Sequence, residues 1–220
     1  MTQQTTIWTG AFGAEYTRRN TFDAAGLRGL YLDLYGVDRP DMNRRFLDGF
    51  DRGIEILEVG CNIGNQLDCL HAAGFTQLSG IELQAEAAAH ARQRLPEADI
   101  RVGSAFDLPW PDASFDLVYT SGVLIHIAPA DLPKAMAEIH RVSRRWIWGF
   151  EYDEDSFQEI PYRGHDALMW KGPYVRLWQQ TFPDLALVRE ERFAYRGQPA
   201  NRDVMYLLEK TRNHGLIGAI

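Results

Sequence analysis

The chain has 220 residues and a formal net charge of −7, with 45% hydrophobic and 24% charged residues. This length suits one domain with a full hydrophobic core, and the composition is that of an ordinary globular protein. The acidic balance argues against nucleic acid as a partner, and no apolar run approaches the length of a membrane span. The two cysteines lack metal-site spacing, so the sequence predicts a cytoplasmic protein without a metal and leaves the oligomeric state open.

The first fifty residues predict a helical cap, which precedes a main domain over residues 51–210 and a poorly ordered tail over residues 211–220. Apolar and aromatic residues recur at helical spacing in three stretches of the cap, beginning near Trp8, Leu27 and Met42. We expect Trp8 and Phe12 to pack on the main domain.

Residues 54–64 combine a short apolar run with a glycine turn. The run is too short for a helix and predicts a buried parallel strand. Gly60 and Gly64 follow, four residues apart, with Asn62 between them, and helical spacing begins after the turn. A strand, a glycine turn and a helix N-terminus together let the backbone approach a nucleotide-like ligand closely.

From this turn onward strand and helix patterns alternate, which predicts an α/β fold with a parallel sheet and helices on both faces. The further strands are expected at residues 78–83, 100–102, 115–121 and 146–150. After residue 152 the rhythm changes, and the sequence predicts a polar loop over 153–165, a helix over 168–182, and an antiparallel hairpin of residues 186–195 and 203–209 at the sheet edge.

Two acidic residues near the glycine turn separate the possible ligand classes. Nicotinamide-dependent oxidoreductases carry G-x-G-x-x-G at this place, whereas this chain has Glu58 two residues before Gly60. An acid there suits a ligand with an ammonium group better than a pyrophosphate. Glu82, at the end of the second strand, can accept hydrogen bonds from two ribose hydroxyls. The nicotinamide enzyme is therefore the less favoured alternative.

Three blocks of sequence resemble the class I S-adenosylmethionine (AdoMet)-dependent methyltransferases. They are LEVGCNIG at 57–64, GIEL at 80–83 and LPWPDASFDLV at 108–118. The resemblance implies a Rossmann-like, seven-stranded, mostly parallel sheet in which the predicted hairpin supplies the last two strands. It also implies AdoMet as the cofactor, bound at the carboxyl ends of the first and second strands.

The resemblance assigns parts of the cofactor to particular residues. The glycine turn and Glu58 would flank the methionine part, and Glu82 would hold the ribose. Asn62 replaces the family's middle glycine, and asparagine tolerates the left-handed conformation that such a turn needs. Ser104 stands where the family often has an aspartate, so either Ser104 or Asp107 would meet the adenine.

Two residues of the predicted cap, Tyr16 and Arg19, are expected to close over the cofactor, with Arg19 meeting its carboxylate. The complete set of predicted cofactor-binding residues is Tyr16, Arg19, Glu58, Gly60, Cys61, Asn62, Gly64, Glu82, Leu83, Ser104, Ala105 and Ser121.

A narrower resemblance covers nearly the whole chain. Residues 12–20, 60–64, 122–127 and 160–165 are similar to the methylases associated with pseudaminic acid biosynthesis clusters. That family name records genomic association more than a demonstrated acceptor, so the resemblance supports the fold and the cofactor. We expect the acceptor to be a small molecule, either a sugar or another biosynthetic intermediate.

Methyl transfer from a sulfonium is an in-line displacement, in which the enzyme mainly aligns the acceptor, the methyl group and the sulfur. A hydroxyl or ammonium acceptor also needs a base, whereas a carboxylate does not. His126 follows the fourth strand and is a candidate base near neutral pH, with a structural histidine as an equal alternative. The candidate catalytic residues are His126, His165 and Tyr152, and the candidate acceptor-binding residues are Glu151, Tyr162 and Arg163.

Two further functions remain possible on the sequence. A protein that binds AdoMet without turnover would keep the same glycine turn and acids. Methylation of RNA or protein is less favoured, because the chain is acidic and has no added recognition domain.

Overall fold

The structure, a computed structural model, describes residues 3–211, so all but the first residue of the predicted tail lies outside the described residues. The chain begins with four helices, as the N-terminal pattern predicts: α1 (Gln3–Thr9), α2 (Ala11–Arg19), α3 (Ala24–Tyr35) and α4 (Arg39–Leu47). Asp23 and Asp38 cap α3 and α4 by accepting a hydrogen bond from a backbone N–H of the first turn. None of the helices in residues 3–211 is long and apolar enough to cross a membrane.

Strands and helices then alternate as predicted. They are β1 (Glu55–Val59), α5 (Asn65–Ala72), β2 (Gln77–Glu82), α6 (Ala85–Arg94), β3 (Asp99–Val102), β4 (Phe115–Ser121), α7 (Leu132–Val142) and β5 (Ser143–Tyr152), with a 3₁₀ turn at Leu124–His126 after β4.

The C-terminal part differs in detail from the prediction. It contains β6 (Gln158–Glu159), β7 (Trp170–Lys171), α8 (Tyr174–Thr181), β8 (Leu185–Tyr195) and β9 (Gln198–Lys210). The segment predicted as a loop thus includes β6, which pairs with β7 in a small antiparallel sheet. The helix begins six residues later than predicted because Pro173 takes its N-cap position, and a residue before proline is disfavoured in the helical conformation.

The main sheet has seven strands in the order β3-β2-β1-β4-β5-β9-β8. The first five are parallel, and β9 and β8 add an antiparallel hairpin at the edge. The predicted seven-stranded, mostly parallel Rossmann-like sheet is confirmed. Strand order reverses between β1 and β4, and such a reversal opens a crevice at the carboxyl ends of the strands.

The sheet separates two apolar clusters. Leu57 and Val59 of β1 belong to the cluster that includes α7 and α8, whereas Ile56 belongs to the cluster that includes α4, α5 and α6. This division follows from the alternation of side chains along a strand. Met42 and Phe46 of α4 lie in the second cluster, so this part of the predicted cap packs on the sheet. The domain boundary at residue 50 stays a prediction.

Candidate functional site

A cavity of about 290 Å³ opens at the carboxyl ends of the first, second and fourth strands. Its wall also includes residues of α2 and α3 and of the segment between them. Most of the predicted cofactor-binding residues line it, namely Tyr16, Glu58, Gly60, Cys61, Asn62, Glu82, Leu83, Ser104, Ala105 and Ser121.

The glycine turn has the conformation that its sequence requires. Gly60, Asn62 and Gly64 all have positive φ angles of +78°, +47° and +80°. Glycine adopts this left-handed conformation freely, and asparagine does so more readily than most residues. A Cβ atom on Gly60 would lie 2.6 Å from Cγ2 of Val123, so this glycine also allows close packing against the segment after β4.

Glu82 ends β2 and joins the turn to the start of α6. One carboxylate oxygen accepts a hydrogen bond from Asn62 N at 2.9 Å, and the other accepts one from Gln84 N at 2.9 Å. Burial raises the pKa of this carboxyl above its usual range. Each oxygen retains a lone pair that a hydroxyl group in the cavity could meet.

Glu58 is a buried acid without an ion-pair partner among the residues that the structure describes. It is 3% exposed, and its Oε2 accepts a hydrogen bond from the Tyr119 hydroxyl at 2.9 Å. Burial raises its pKa to about 8. A cation that entered the cavity would favour the ionised form of this carboxyl.

The segment after β3 supplies another part of the wall. Ser104 lines the cavity and accepts a hydrogen bond from Phe106 N at 3.2 Å, whereas Asp107 is exposed and is not part of the lining. Of the two candidates for an adenine contact, Ser104 is the one that lines the cavity, and the contact itself stays a prediction. Gly103 and Phe106 also line the cavity, and the sequence analysis did not select them.

His126 lines the cavity from the 3₁₀ turn after β4. Its Nδ1 lies 2.8 Å from the carbonyl oxygen of Leu168, which can only accept, so Nδ1 carries the proton and Nε2 keeps its lone pair. Burial lowers the pKa of the imidazole to about 4. His126 is therefore neutral at physiological pH, in contrast to the expected base that titrates near neutrality.

Aromatic rings from α1 and α2 cover the region around His126. The ring centroid of Trp8 lies 4.5 Å from that of His126, and its Nε1 is buried without a hydrogen-bond partner among the described residues. The Phe12 ring lies 5.9 Å from Tyr162 and 5.0 Å from His165. The expected packing of Trp8 and Phe12 on the main domain thus takes place at this covering layer.

Tyr162 and His165 belong to a tight turn in which the backbone N–H of each donates to the carbonyl of the other, at 2.9 and 3.0 Å. Arg163 and His165 are exposed, and Arg163 has a positive φ of +52°. None of these three residues lines the cavity. The turn borders the aromatic covering layer, so these three candidates lie near the site but outside its wall.

Glu151, a predicted acceptor-binding residue, does not line the cavity. It is 1% exposed, and its carboxyl accepts hydrogen bonds from Val123 N at 3.4 Å and Ile125 N at 3.3 Å. Burial raises its pKa to about 7. The side chain thus holds the turn that carries His126. Tyr152, the next residue, is half-buried and does not line the cavity, and its ring lies 6.4 Å from that of Tyr195.

Arg19 and Gly64, the other predicted cofactor residues, lie outside the lining. Arg19 pairs with Glu15 on the same helix at 3.3 Å, and its Nη2 is buried without a hydrogen-bond partner in the described part of the chain. Gly64 is the N-cap of α5 and packs against Ala91, where an added Cβ would lie at 3.4 Å.

Polar residues that no motif marked complete the wall. Tyr31 from α3 and the amides of Asn65 and Gln66 at the start of α5 line the cavity. The sequence offered one indication of a polar site here. Arg39 and Asn43 lie four residues apart on a helix face that is otherwise apolar. Within residues 3–211, no group of three His, Cys, Asp or Glu residues could hold a metal ion.

The comparisons with known proteins agree with this geometry. Residues 57–145 match the family model described as a methyltransferase domain. A probable S-adenosylmethionine-dependent methyltransferase of Mycolicibacterium smegmatis is 36% identical over 92 residues, which are 42% of this chain and 35% of that protein. An uncharacterized methyltransferase of Synechocystis sp. is 33% identical over 90 residues, which are 41% of this chain and 42% of that protein. The match thus spans well under half the length of these relatives.

Solved structures share the fold at low sequence identity. The magnesium protoporphyrin IX methyltransferase of Synechocystis, solved with bound SAH, has a TM-score of 0.68 at 14% identity, over 94% of this chain and 97% of that one. A Burkholderia thailandensis N1-methyltransferase, solved with 1,6-didemethyltoxoflavin and S-adenosylhomocysteine, has a TM-score of 0.63 at 16% identity, over 78% and 76% of the two chains.

The fold, the cavity and the family match over residues 57–145 resemble those of class I, AdoMet-dependent methyltransferases. The matched segment contains the end of β1, the glycine turn, Glu82 and the turn that carries His126. AdoMet is the cofactor of this class, which leaves the nicotinamide alternative without support.

The residues present fit AdoMet. Glu58, a buried acid with no ion-pair partner in the described part of the chain, suits the ammonium group, and Glu82 offers two oxygens to the ribose hydroxyls. Asn62 Oδ1 is buried in the turn without a hydrogen-bond partner among the described residues, and it is a further polar atom that the ligand could satisfy.

Proposed function

We propose that this protein transfers a methyl group from AdoMet to an oxygen or nitrogen atom of a small molecule. The observation that carries the proposal is the pair of buried acids, Glu58 and Glu82, on either side of a left-handed glycine turn in one cavity. The bound cofactor would supply an electrophilic methyl group on a sulfonium.

The chain's own contribution is to bind and orient the reactants. Glu58, Asn62, Glu82 and Ser104 would hold the cofactor. The lone pair of His126 Nε2 can accept a hydrogen bond from an acceptor hydroxyl or amine and so orient the attacking atom. Because its pKa is about 4, this imidazole suits alignment and transient acceptance of a proton better than removal of a proton before the transfer.

Charge bears on the class of acceptor. Among the described lining residues the charged side chains are acidic, and no lysine or arginine faces the cavity. This supports an uncharged or cationic acceptor group at the methyl. The resemblance to methylases of pseudaminic acid clusters supports a sugar as the acceptor. If that sugar carries a carboxylate, the exposed Arg163, which lies outside the cavity wall, could pair with it.

The proposal also includes the cellular compartment and the class of partner. Cys61 and Cys69 are both free thiols, which supports a reducing, cytoplasmic setting. The acidic composition supports a small-molecule acceptor in preference to RNA.

Binding is tested by calorimetry and thermal shift on the full chain with AdoMet, S-adenosylhomocysteine and NAD. We expect both sulfur ligands, and not NAD, to bind and to raise the melting temperature. Glu82→Ala should weaken binding of both ligands at an unchanged circular dichroism spectrum, since it removes the carboxylate from the cavity wall and leaves the backbone pairing of β2 in place. Stabilisation by NAD alone would contradict the proposal.

Turnover is tested with methyl-labelled AdoMet and a panel of hydroxylated and aminated small molecules, sugars included, with label transfer followed by mass spectrometry. With an acceptor in hand, His126→Ala should lower kcat more than it lowers AdoMet affinity. Tight cofactor binding with no labelled product from any acceptor class would favour the alternative of an AdoMet-binding protein without turnover.

A further inference from the structure

A fully buried arginine lies behind the cavity wall. Arg39 of α4 is 1% exposed, and no carboxylate lies within ion-pair distance of it anywhere in residues 3–211. Its guanidinium lies 4.5 Å from the ring centroid of Phe150 and 5.7 Å from that of Trp148, and such contacts offset part of the cost of burial. They do not neutralise the charge, and buried charges are normally paired.

The N–H groups of the guanidinium donate hydrogen bonds to uncharged groups. Nε donates to Oδ1 of Asn43 at 3.0 Å, and Nη1 donates to the hydroxyl oxygen of Tyr31 at 3.0 Å. The terminal amide of Gln66 lies 2.8 Å from both Nε and Nη2, and its oxygen faces these donors in the orientation that satisfies both groups. The positive charge is thus held in place without an ion-pair partner among the described residues, and the carboxyls of Glu58 and Asp203 act on it only from a longer distance.

Two of these partners, Tyr31 and Gln66, line the cavity. Because the Tyr31 oxygen accepts from Arg39, its own proton is free to be donated elsewhere, and a hydroxyl polarised by a cation is a stronger donor. The oxygen of Gln66 is turned toward Arg39, which leaves its NH₂ group for other acceptors. Arg39 therefore orients two hydrogen-bond donors, the Tyr31 hydroxyl and the Gln66 amide, at one part of the cavity wall.

The same part of the wall carries the buried acid Glu58. The backbone N–H of Leu67, next to Gln66 in the first turn of α5, donates to the Glu58 carboxyl. An acid and two hydrogen-bond donors backed by a cation therefore lie side by side. An α-amino acid presents the complementary pair, since its ammonium and carboxylate groups are attached to one carbon atom.

We propose that Arg39 is a positioning residue for the carboxylate of the methionine group of AdoMet, acting through the Tyr31 hydroxyl and the Gln66 amide. The inference rests on the proposed function, because it takes AdoMet to be the ligand of this cavity. The carboxylate would supply a counter-charge on the side of the Tyr31 hydroxyl and the Gln66 amide, in addition to the longer-range attraction of Glu58 and Asp203. The role expected from the sequence for Arg19 passes to Arg39, since Arg19 pairs with Glu15 and lies outside the wall.

The test compares AdoMet with decarboxylated AdoMet, which keeps the sulfonium and the ammonium and lacks only the carboxylate. Calorimetry gives the affinity of each ligand for the full chain and for Arg39→Met. The wild-type chain should prefer AdoMet, and Arg39→Met should reduce that preference by about tenfold, the order expected when a charge-assisted hydrogen bond is lost. The affinity for the decarboxylated ligand should change little.

Matched variants separate this role from a general effect on packing or charge. Arg44→Met removes the same charge from an exposed side chain of the same helix and should keep the ligand preference. Tyr31→Phe removes one prepared donor, keeps the ring, and should lower the preference several-fold. It also provides the decisive measurement if Arg39→Met does not fold.

An equal loss of affinity for both ligands in Arg39→Met and Tyr31→Phe would make Arg39 a structural residue and overturn the inference. So would a preference that is lost in Arg19→Met and retained in Arg39→Met. If the wild-type chain binds neither ligand, the proposed function fails together with the inference. If it binds both equally well, only the inference fails.

Discussion

At the scale of single residues, two glutamates of the same cavity differ in the hydrogen-bond donors around their carboxyl groups. Glu82 accepts hydrogen bonds from two backbone N–H groups at the end of β2, whereas Glu58 accepts hydrogen bonds from the Tyr119 hydroxyl and the Leu67 N–H deep in the core. Burial raises the pKa of Glu58 to about 8, so this carboxyl is largely protonated at neutral pH before a ligand binds. A ligand ammonium group would then displace its proton.

We predict that Glu58→Gln changes the pH dependence of stability and weakens AdoMet binding. A carboxyl whose pKa is raised by folding stabilises the folded state below its unfolded pKa, and this stability is lost as pH rises from about 4.5 to about 8. Glutamine can still accept the Tyr119 hydrogen bond and does not ionise. Relative to wild type, the variant should therefore be more stable at pH 8 than at pH 5, as measured by urea unfolding.

The control is Glu86→Gln, which changes an exposed glutamate in the first turn of α6. It should leave the pH profile of stability as it is in the wild-type chain. A Glu58→Gln profile parallel to that of wild type would mean that Glu58 is already ionised in the folded protein.

At the scale of elements, the turn after β4 depends on a side chain from the neighbouring strand. Glu151 ends in the core beneath the 3₁₀ turn and accepts hydrogen bonds from Val123 N and Ile125 N, on either side of Leu124. His126 is the last residue of this turn, and the Leu168 carbonyl fixes the orientation of its ring. The catalytic candidate is thus placed by two segments distant in sequence.

We predict that Glu151→Ala destabilises the protein by about 1–3 kcal/mol, because it leaves buried N–H groups of the turn without an acceptor. Glu151→Gln keeps an oxygen for one of them and should cost less. Urea unfolding of both variants measures this order. Glu97→Ala, at an exposed position between α6 and β3, serves as the control. Equal stability of Glu151→Ala and wild type would show that the turn does not need this acceptor.

At the scale of the whole molecule, the cavity is built by two parts of the chain that are far apart in sequence. Tyr16 and Tyr31 come from the N-terminal helices, whereas Glu58, Glu82 and His126 come from the sheet and its connections. A ligand that fills the cavity would therefore touch both parts. Ligand binding should stabilise both parts together, because it favours the state in which they are in contact.

We predict that S-adenosylhomocysteine slows amide hydrogen exchange in α2 and α3 as well as in residues 60–84. Mass spectrometry of peptides from the full chain, with and without ligand, measures this. Peptides of β8, on the far edge of the sheet, provide the internal reference. Protection confined to residues 60–84 would mean that the N-terminal helices do not close on the ligand.

The sequence by itself determined the sheet and the centre of the proposed cofactor site. Hydrophobic periodicity and turn residues are short-range signals, and they specified β1, the left-handed turn at Asn62 and the acid at the end of β2. The same signals misplaced the start of α8, because Pro173 disfavours the helical conformation at the residue before it, in spite of the apolar pattern there.

The tertiary structure alone decided the roles that depend on burial and on partners distant in sequence. Glu151 turns into the core because successive side chains of a strand point to opposite faces, and His126 has a low pKa because the folded chain removes it from water. In the sequence, nothing distinguishes Arg39 from other polar residues on a helix. In the folded chain, packing buries its charge behind the cavity wall. Desolvation is a property of the assembled fold, so no local pattern could reveal it.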